Sequence, residues 1–354
     1  NIYPQIVGNM ISIDSNKILL PFECLDAFDS DSFYNKPIIK AGQTLQDKYT
    51  INNPIPGLKS IEVNPGANKV IIETSAKILK DNYLHGLNLN TLEQYTDTIN
   101  STRLIHIKSA NIDQAQILLA DTTQNIAWNE RTSFSDLIHS IQLCSVNPKY
   151  SNDLFNERNN KGLVFTGNQK SIKCRMIIYD KYTELIAKKE NKLFLESCNN
   201  PNKLLNQAKG IIRVEQNNTS FKAIRTRLKV ADNNIVNVLN SNENPNLKLL
   251  DTITSLHSLE QLELFERYRN KQMTIGEIVR MEGMRNIIEK CAYDKNLLKE
   301  FLKSLSDKWD SWYYDRNGKP GFKTVLQRMK FEKHKTESFY FNTFTEFKEL
   351  LRVA

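Results

Sequence analysis

The sequence predicts an α+β fold: a largely antiparallel sheet with flanking helices over residues 1–240, followed by a mostly helical region over 249–354. Three observations carry that prediction. Short apolar runs recur before residue 240, separated by Pro, Gly and Asn turns, as half-buried strands are. The stretch "GLVFTGNQKSIKCRMIIYD" (162–180) reads as two strands returning through "TGNQK", which makes neighbours antiparallel. Beyond "NSNENPNLK" (240–248) apolar residues fall at helical spacing almost without a break, so the domain boundary is placed there.

The elements follow in order. "NKILLPF" (16–22) and "KVIIETS" (69–75) are β-type runs, with turns at "NNPIPG" (52–57) and "NPG" (64–66) between them. "TLEQYTDTINST" (91–102) predicts a helix, because Leu92, Tyr95 and Ile99 share one face. "RLIHIKSA" (103–110) predicts a strand. "NIDQAQILLADTTQNIAW" (111–128) is read as a helix starting near Asn111 or Asp113. "GIIRVEQ" (210–216) closes the strand set. In the helical region, "MTIGEIVRMEGMRNIIEKC" (273–291) has the length of a helix–turn–helix with "EGM" as the turn, although an ordinary bundle explains it better. The aromatic cluster "KWDSWYYDRNGK" (308–319) suits core filling more than stacking on unpaired bases.

At 354 residues the chain fits two domains. Its formal charge of +8 favours polyanionic partners. No run of about 18 apolar residues is present, so no membrane span is predicted. No basic segment leads into an apolar one at the start, so no secretory signal is expected. Cys24, Cys144, Cys174, Cys198 and Cys291 are scattered, without a C-x-x-C pair, which argues against a disulfide framework or a zinc cluster and for a reducing cytoplasm.

One corner stands out. In "CRMIIYDKYTELIAKK" (174–189) an apolar strand runs straight into an amphipathic helix. Tyr179 and Tyr182 lie three residues apart at the junction, among lysines. A structural tyrosine at a sheet end and a reactive phenol are both compatible with this pattern. "SFKAIRTRLK" (220–229) places Lys222, Arg225, Arg227 and Lys229 close together. Arg227 and Lys229 alternate with Leu228 and Val230, as on a phosphate-contacting edge or a solvated face.

Three stretches together resemble the gene-II/gene-X family of phage and plasmid rolling-circle replication initiators. They are "IIETSAKILKDN" (71–82), a strand and then a serine–lysine turn; "MIIYDKYTE" (176–184), an apolar strand and then Tyr-x-Lys-x-x-Glu; and "GIIRVE" (210–215). The order and spacing agree over residues 10–235. The resemblance implies a metal-dependent nickase that cuts one strand of origin DNA through a tyrosine. The products are a 5′-phosphotyrosine and a free 3′-OH, and the strand is rejoined later. It implies Tyr179 as nucleophile, with Lys181 and Glu184 beside it. Tyr182 matches no family tyrosine and is either a second nucleophile or a packing or DNA contact. His106 stands where the family has an aspartate, and a related nuclease superfamily has two histidines where this chain has one. With Glu215 and the weaker candidate Glu73, His106 would form an oxygen-rich site suited to Mg²⁺ or Mn²⁺. Glu215 could equally be the partner of Arg213, which counts with Lys222, Arg225, Arg227 and Lys229 among the expected DNA contacts. Expected partners are origin DNA, a host helicase and a second copy of the chain, with no membrane, in the cytoplasm of a bacterial host. The alternatives are a DNA-binding protein without cleavage, and a relaxase or transposase using the same chemistry.

Overall fold

The computed structural model describes residues 11–40, 43–128, 132–157, 160–168, 174–255, 275–304, 325–327 and 329–354. The chain forms two compact units. One comprises Asn1–Phe134, Asn147–Ile253 and Lys348–Ala354, and the other Ser135–Val146 and Thr254–Phe347. The division expected at 240–248 therefore falls inside the first unit.

The strands are β1 (Ser12–Leu20), β2 (Leu25–Phe28), β3 (Tyr34–Asn35), β4 (Ile38–Lys40), β5 (Gln43–Gln46), β6 (Tyr49–Ile55) and β7 (Leu58–Asn64). After these come β8 (Lys69–Ser75), β9 (Ile105–Ile107), β10 (Gln116–Ala127), β11 (Tyr150–Glu157), β12 (Asn160–Gly167), β13 (Arg175–Asp180) and β14 (Ile211–Asn218). Ten of them make one sheet in the order β11-β12-β13-β14-β10-β1-β8-β7-β6-β3, with every neighbouring pair antiparallel. The α+β class with a large antiparallel sheet is thus what the chain adopts. The turn between β12 and β13 at 169–173 lies outside the described residues.

The main departure from the sequence reading is β10. The stretch read as a helix is a 3₁₀ segment, Ser109–Gln114, followed by a twelve-residue strand at the centre of the sheet. Of the two register shifts against β1, the one between Lys17 and Ile18 leaves Leu118 of β10 out of register and breaks the alternation by which a strand is recognised. Strand β9 is only three residues long and pairs with β2 in a separate two-stranded sheet, which takes "RLIHIKSA" out of the large sheet.

Helix α1 (Leu92–Ser101) buries Tyr95 and Ile99, as its spacing predicts. The Tyr95 hydroxyl donates to Asn16 Oδ1 at 3.2 Å. Helices α2 (Phe134–Leu143), α3 (Lys181–Ala187), α4 (Glu190–Ser197), α5 (Pro201–Ala208), α6 (Phe221–Leu228), α7 (Ile235–Leu239) and α8 (Pro245–Ile253) follow in chain order. Helix α8 lies on β14, where Asn246 Nδ2 donates to the Val214 carbonyl at 3.4 Å. In the second unit, α9 (Ile275–Lys290) runs unbroken through "EGM", so that segment is no helix–turn–helix. It is followed by α10 (Lys295–Ser304) and α11 (Phe331–Val353), whose last residues belong to the first unit. Ile288, Leu298 and Phe331 form the core among them. The cluster "KWDSWYYDRNGK" lies outside the described residues.

Gly57, in the turn joining β6 to β7, has φ +91° and accepts from Ser75 N at 2.7 Å through its carbonyl. A Cβ there would lie 2.1 Å from Ile78 N, a backbone atom that cannot swing away. Gly57→Ala is therefore expected to lower the unfolding free energy by about 3 kcal/mol, combining backbone strain with a steric clash. Urea denaturation of the purified variant measures it, and a loss below about 1 kcal/mol would contradict the packing described.

Candidate functional site

The corner between β13 and α3 is built by two local devices. Asp180 ends the strand and caps the helix, its Oδ1 accepting from Thr183 N at 2.6 Å. Strand register does the rest. Tyr179 on β13 faces Arg213 on β14, and Ile177 faces Glu215, so Tyr179, Arg213 and Glu215 lie on one face of the sheet. Across β14, Asn125 of β10 faces Arg213, and Thr123 faces Glu215.

The side chains of that face converge. The Tyr179 hydroxyl donates to Glu215 Oε1 at 2.5 Å and accepts from Lys181 Nζ at 3.2 Å. Lys181 Nζ also donates to Glu184 Oε2 at 2.8 Å and to the Tyr83 hydroxyl. Arg213 donates through Nη1 to Asp14 Oδ1 at 2.6 Å and through Nε to Asn125 Oδ1 at 2.7 Å. The same Nη1 is 3.9 Å from Glu215 Oε1. Asn191 Nδ2 donates to the carbonyls of Glu184 at 2.9 Å and Leu185 at 3.1 Å, while its Oδ1 accepts from Lys77 Nζ at 2.7 Å. Arg213, Lys181 and Asn191 are buried outright, and Tyr179 is 6% exposed. The side chains of Asp14 and Glu215 are each 16% exposed, so the cluster meets solvent through these two carboxylates.

Burial and mutual charge set the protonation of these groups. Burial and the adjacent Glu215 carboxylate push the Tyr179 phenol well above the usual tyrosine range. Glu215 is pushed up to about 7, by burial first and Asp14 next, against the opposing pull of Lys181 and Arg213. Burial also acts to raise Glu184, but the Lys181 ammonium and its hydrogen bond outweigh it and bring Glu184 to about 2. Burial lowers Lys181, with Arg213 adding to the effect. Burial opposes ionisation of Arg213, yet the surrounding tyrosines and carboxylates raise it above its ordinary value.

These shifts give the two glutamates opposite effects on stability. An unfolded glutamate titrates near 4.5. Glu184, depressed when folded, contributes stability above that value and loses it as pH falls toward about 2. Glu215, raised when folded, costs stability as pH rises from 4.5 through about 7. Each is worth about 3 kcal/mol as an upper scale. Glu184→Gln is expected to flatten the acid side of the stability–pH curve and Glu215→Gln the side approaching neutrality, as read from urea midpoints across pH.

Tyr179, Lys181, Glu184, Glu215 and Arg213 are thus brought together, and Arg213, named from the sequence as a DNA contact, is interior. Tyr182 is not among the hydrogen-bonded members. Its ring packs against the core and lies 5.5 Å from Lys209 Nζ. The three residues named as ligands lie on three strands, Glu73 on β8, His106 on β9 and Glu215 on β14. His106, whose side chain is 51% exposed, is 3.4 Å from Asp26 through Nδ1, in the small β2–β9 sheet. Glu73 pairs with Lys17 at 3.4 Å and Lys59 at 3.9 Å. Among the described residues no three His, Cys, Asp or Glu side chains group to hold a metal ion. His106 thus stands in a different sheet from Glu73 and Glu215.

The "SFKAIRTRLK" segment also differs from expectation. It is helix α6, capped by Ser220 Oγ at Ala223 N, and not a strand edge. Lys222 and Arg225 are exposed on it. Arg227 turns back to the Asn217 carbonyl and Asn218 Oδ1, both at 2.8 Å, and Lys229 pairs with Glu243 at 3.1 Å. Sequence reasoning missed Asp14, Tyr83, Asn125 and Asn191.

Neither a protein-family model nor a curated protein matches the chain. A solved structure of a rolling circle replication initiator protein from Geobacillus stearothermophilus is similar over 58% of this chain and 74% of that one. The identity is 8% and the TM-score 0.27, too low to carry an argument.

Proposed function

We propose that the chain is a DNA strand-nicking and strand-joining enzyme of the rolling-circle initiator kind, with Tyr179 as its nucleophile. The observation that supports this most is the 2.5 Å hydrogen bond from the Tyr179 hydroxyl to Glu215, a carboxylate that titrates near neutrality. A phenol of raised pKa is a poor nucleophile alone, and a base poised near pH 7 in hydrogen-bond reach is what it needs. In the proposed step the phenol oxygen attacks phosphorus and its proton passes to Glu215. The bond to the 3′-oxygen breaks, and that oxygen leaves and takes up a proton as the free 3′-OH. Lys181, whose Nζ lies 3.2 Å from the phenol oxygen, offsets the negative charge that develops there as the proton leaves. The phosphotyrosine keeps the energy of the original ester, so attack by a 3′-OH reverses the step. The motif order described above agrees with this reading, which takes origin DNA as substrate and leaves room for a helicase and a second copy as partners.

The burial of Tyr179 favours a second reading, DNA binding without cleavage. Covalent capture separates the two. The protein is incubated with a randomised single-stranded oligonucleotide library, with Mg²⁺, Mn²⁺ or EDTA in parallel, and adducts are digested and mapped by mass. An adduct on Tyr179, absent in Tyr179→Phe, supports nicking. An adduct on Tyr182, or DNA retention with no adduct under any condition, overturns it.

A further inference from the structure

Strand β1 carries an irregularity at the point where it approaches the cluster. Its pairing with β10 runs Ser12 to Thr123 and Ile13 to Thr122, then resumes with Ser15 to Asp121. Asp14 is the residue left out of register, and a bulge of this kind re-aims a side chain. The re-aimed carboxylate reaches past β10 to β14, two strands away, a span of about 10 Å between backbones. There it takes Arg213 Nη1 at 2.6 Å. The other carboxylate within range of that nitrogen is Glu215, at 3.9 Å. Arg213 is tethered at Nε by Asn125, so the end of its guanidinium has two acids to choose between. A buried guanidinium takes a carboxylate where one is available, because an uncompensated buried charge is strongly unfavourable.

We infer that Asp14 is a positioning residue: by holding Arg213 Nη1 it keeps the guanidinium off Glu215 and leaves Glu215 Oε1 to the Tyr179 hydroxyl. The inference rests on the reading of Tyr179 as the attacking group. The other charged or ionisable groups around Glu215 are Lys181 and Glu184 of α3, Tyr83 of the Ala76–His85 segment and, next to Asp14, Asp121 of β10. None of them takes the place of Asp14. Lys181 is already shared among Tyr83, Tyr179 and Glu184, and Asp121 accepts from Asn217 Nδ2. Without Asp14, Arg213 closes on Glu215, the carboxylate is neutralised as a base, and the phenol loses its acceptor.

The test compares full-length wild type, Asp14→Asn and Asp14→Glu in two measurements. The first is the ring C–O stretch of isotope-labelled tyrosine, with the Tyr179 band assigned by difference against Tyr179→Phe. Asp14→Asn is expected to shift that band away from the position of a phenol donating to a carboxylate, and Asp14→Glu to restore it. The second is single-turnover formation of the covalent adduct. The rate is expected to fall at least tenfold in Asp14→Asn, with oligonucleotide affinity within about twofold of wild type, and to recover to within about threefold in Asp14→Glu. An unshifted band in folded Asp14→Asn overturns the inference, whatever the activity. A shifted band in a protein whose wild type forms no adduct upholds the role of Asp14 and removes the nickase reading instead. Asp14→Ser replaces Asp14→Asn if the amide does not fold. Failure of both to fold also overturns the inference, since Asp14 would then serve folding and not the placement of Arg213.

Discussion

Tyr179→Phe is expected to abolish covalent adduct formation, by at least ~10⁴-fold, while oligonucleotide affinity stays within about twofold. The substitution removes one oxygen, which bonds Glu215 at 2.5 Å and Lys181 at 3.2 Å, and leaves the ring in place. No nucleophile remains at that position. The nearest other phenol in the cluster, Tyr83, is buried against Phe194 with ring centroids 5.0 Å apart. Losing the hydroxyl leaves Glu215 without a hydrogen bond it holds in the folded state, so stability falls by roughly 1–3 kcal/mol. The measurement is a denaturing gel of the protein–DNA adduct alongside a urea titration. Adduct formation at the wild-type rate would remove Tyr179 from the chemistry.

Arg213→Met is expected to have the largest effect on stability in the first unit, a loss of about 4 kcal/mol. Methionine fills much of the volume, so the loss comes from charge. Asp14 would lose its 2.6 Å partner and Glu215 would lose the cation 3.9 Å away, leaving two acids facing each other at the edge of the cluster. In a unit of this size such a loss lowers Tm by roughly 10 °C. Calorimetry measures the shift. The double variant Arg213→Met with Asp14→Leu is expected to recover most of it, because removing both partners of a buried pair costs far less than removing one. A single variant within about 1 kcal/mol of wild type would mean the cluster does not depend on this ion pair.

How much of this was legible in the sequence follows from the kind of contact involved. Tyr179, Lys181 and Glu184 are neighbours in the chain, and Arg213 and Glu215 alternate on one strand, so local spacing suffices to group each set. Joining the two sets required the family-like motifs, since nothing local says that β13 pairs with β14. Asp14, Tyr83 and Asn125 come from three other segments and enter only through tertiary register, which single-residue patterns do not encode. The misreading of β10 has a similar cause. Its bulged pairing with β1 at Leu118 breaks the alternation that would mark a strand, and apolar and polar residues are mixed at both its odd and its even positions. His106 illustrates the opposite error. Its flanking isoleucines do mark a strand, but a strand of a different sheet, and a motif position carries no guarantee of which sheet it joins.

The central place of β10 also bears on when the protein becomes competent. Its two partners are β1, about a hundred residues earlier in the chain, and β14, about ninety later. Pairings so distant in sequence close late, because the entropy of a long loop is lost before any contact repays it. The bond from Arg213 to Asp14 spans 199 residues. A chain synthesised only as far as residue 200 therefore contains Tyr179 but has neither Arg213 nor Glu215 beside it. The tyrosine acquires Glu215 and Arg213 only when β14 docks, so a chain truncated before residue 211 carries the phenol without its acceptor.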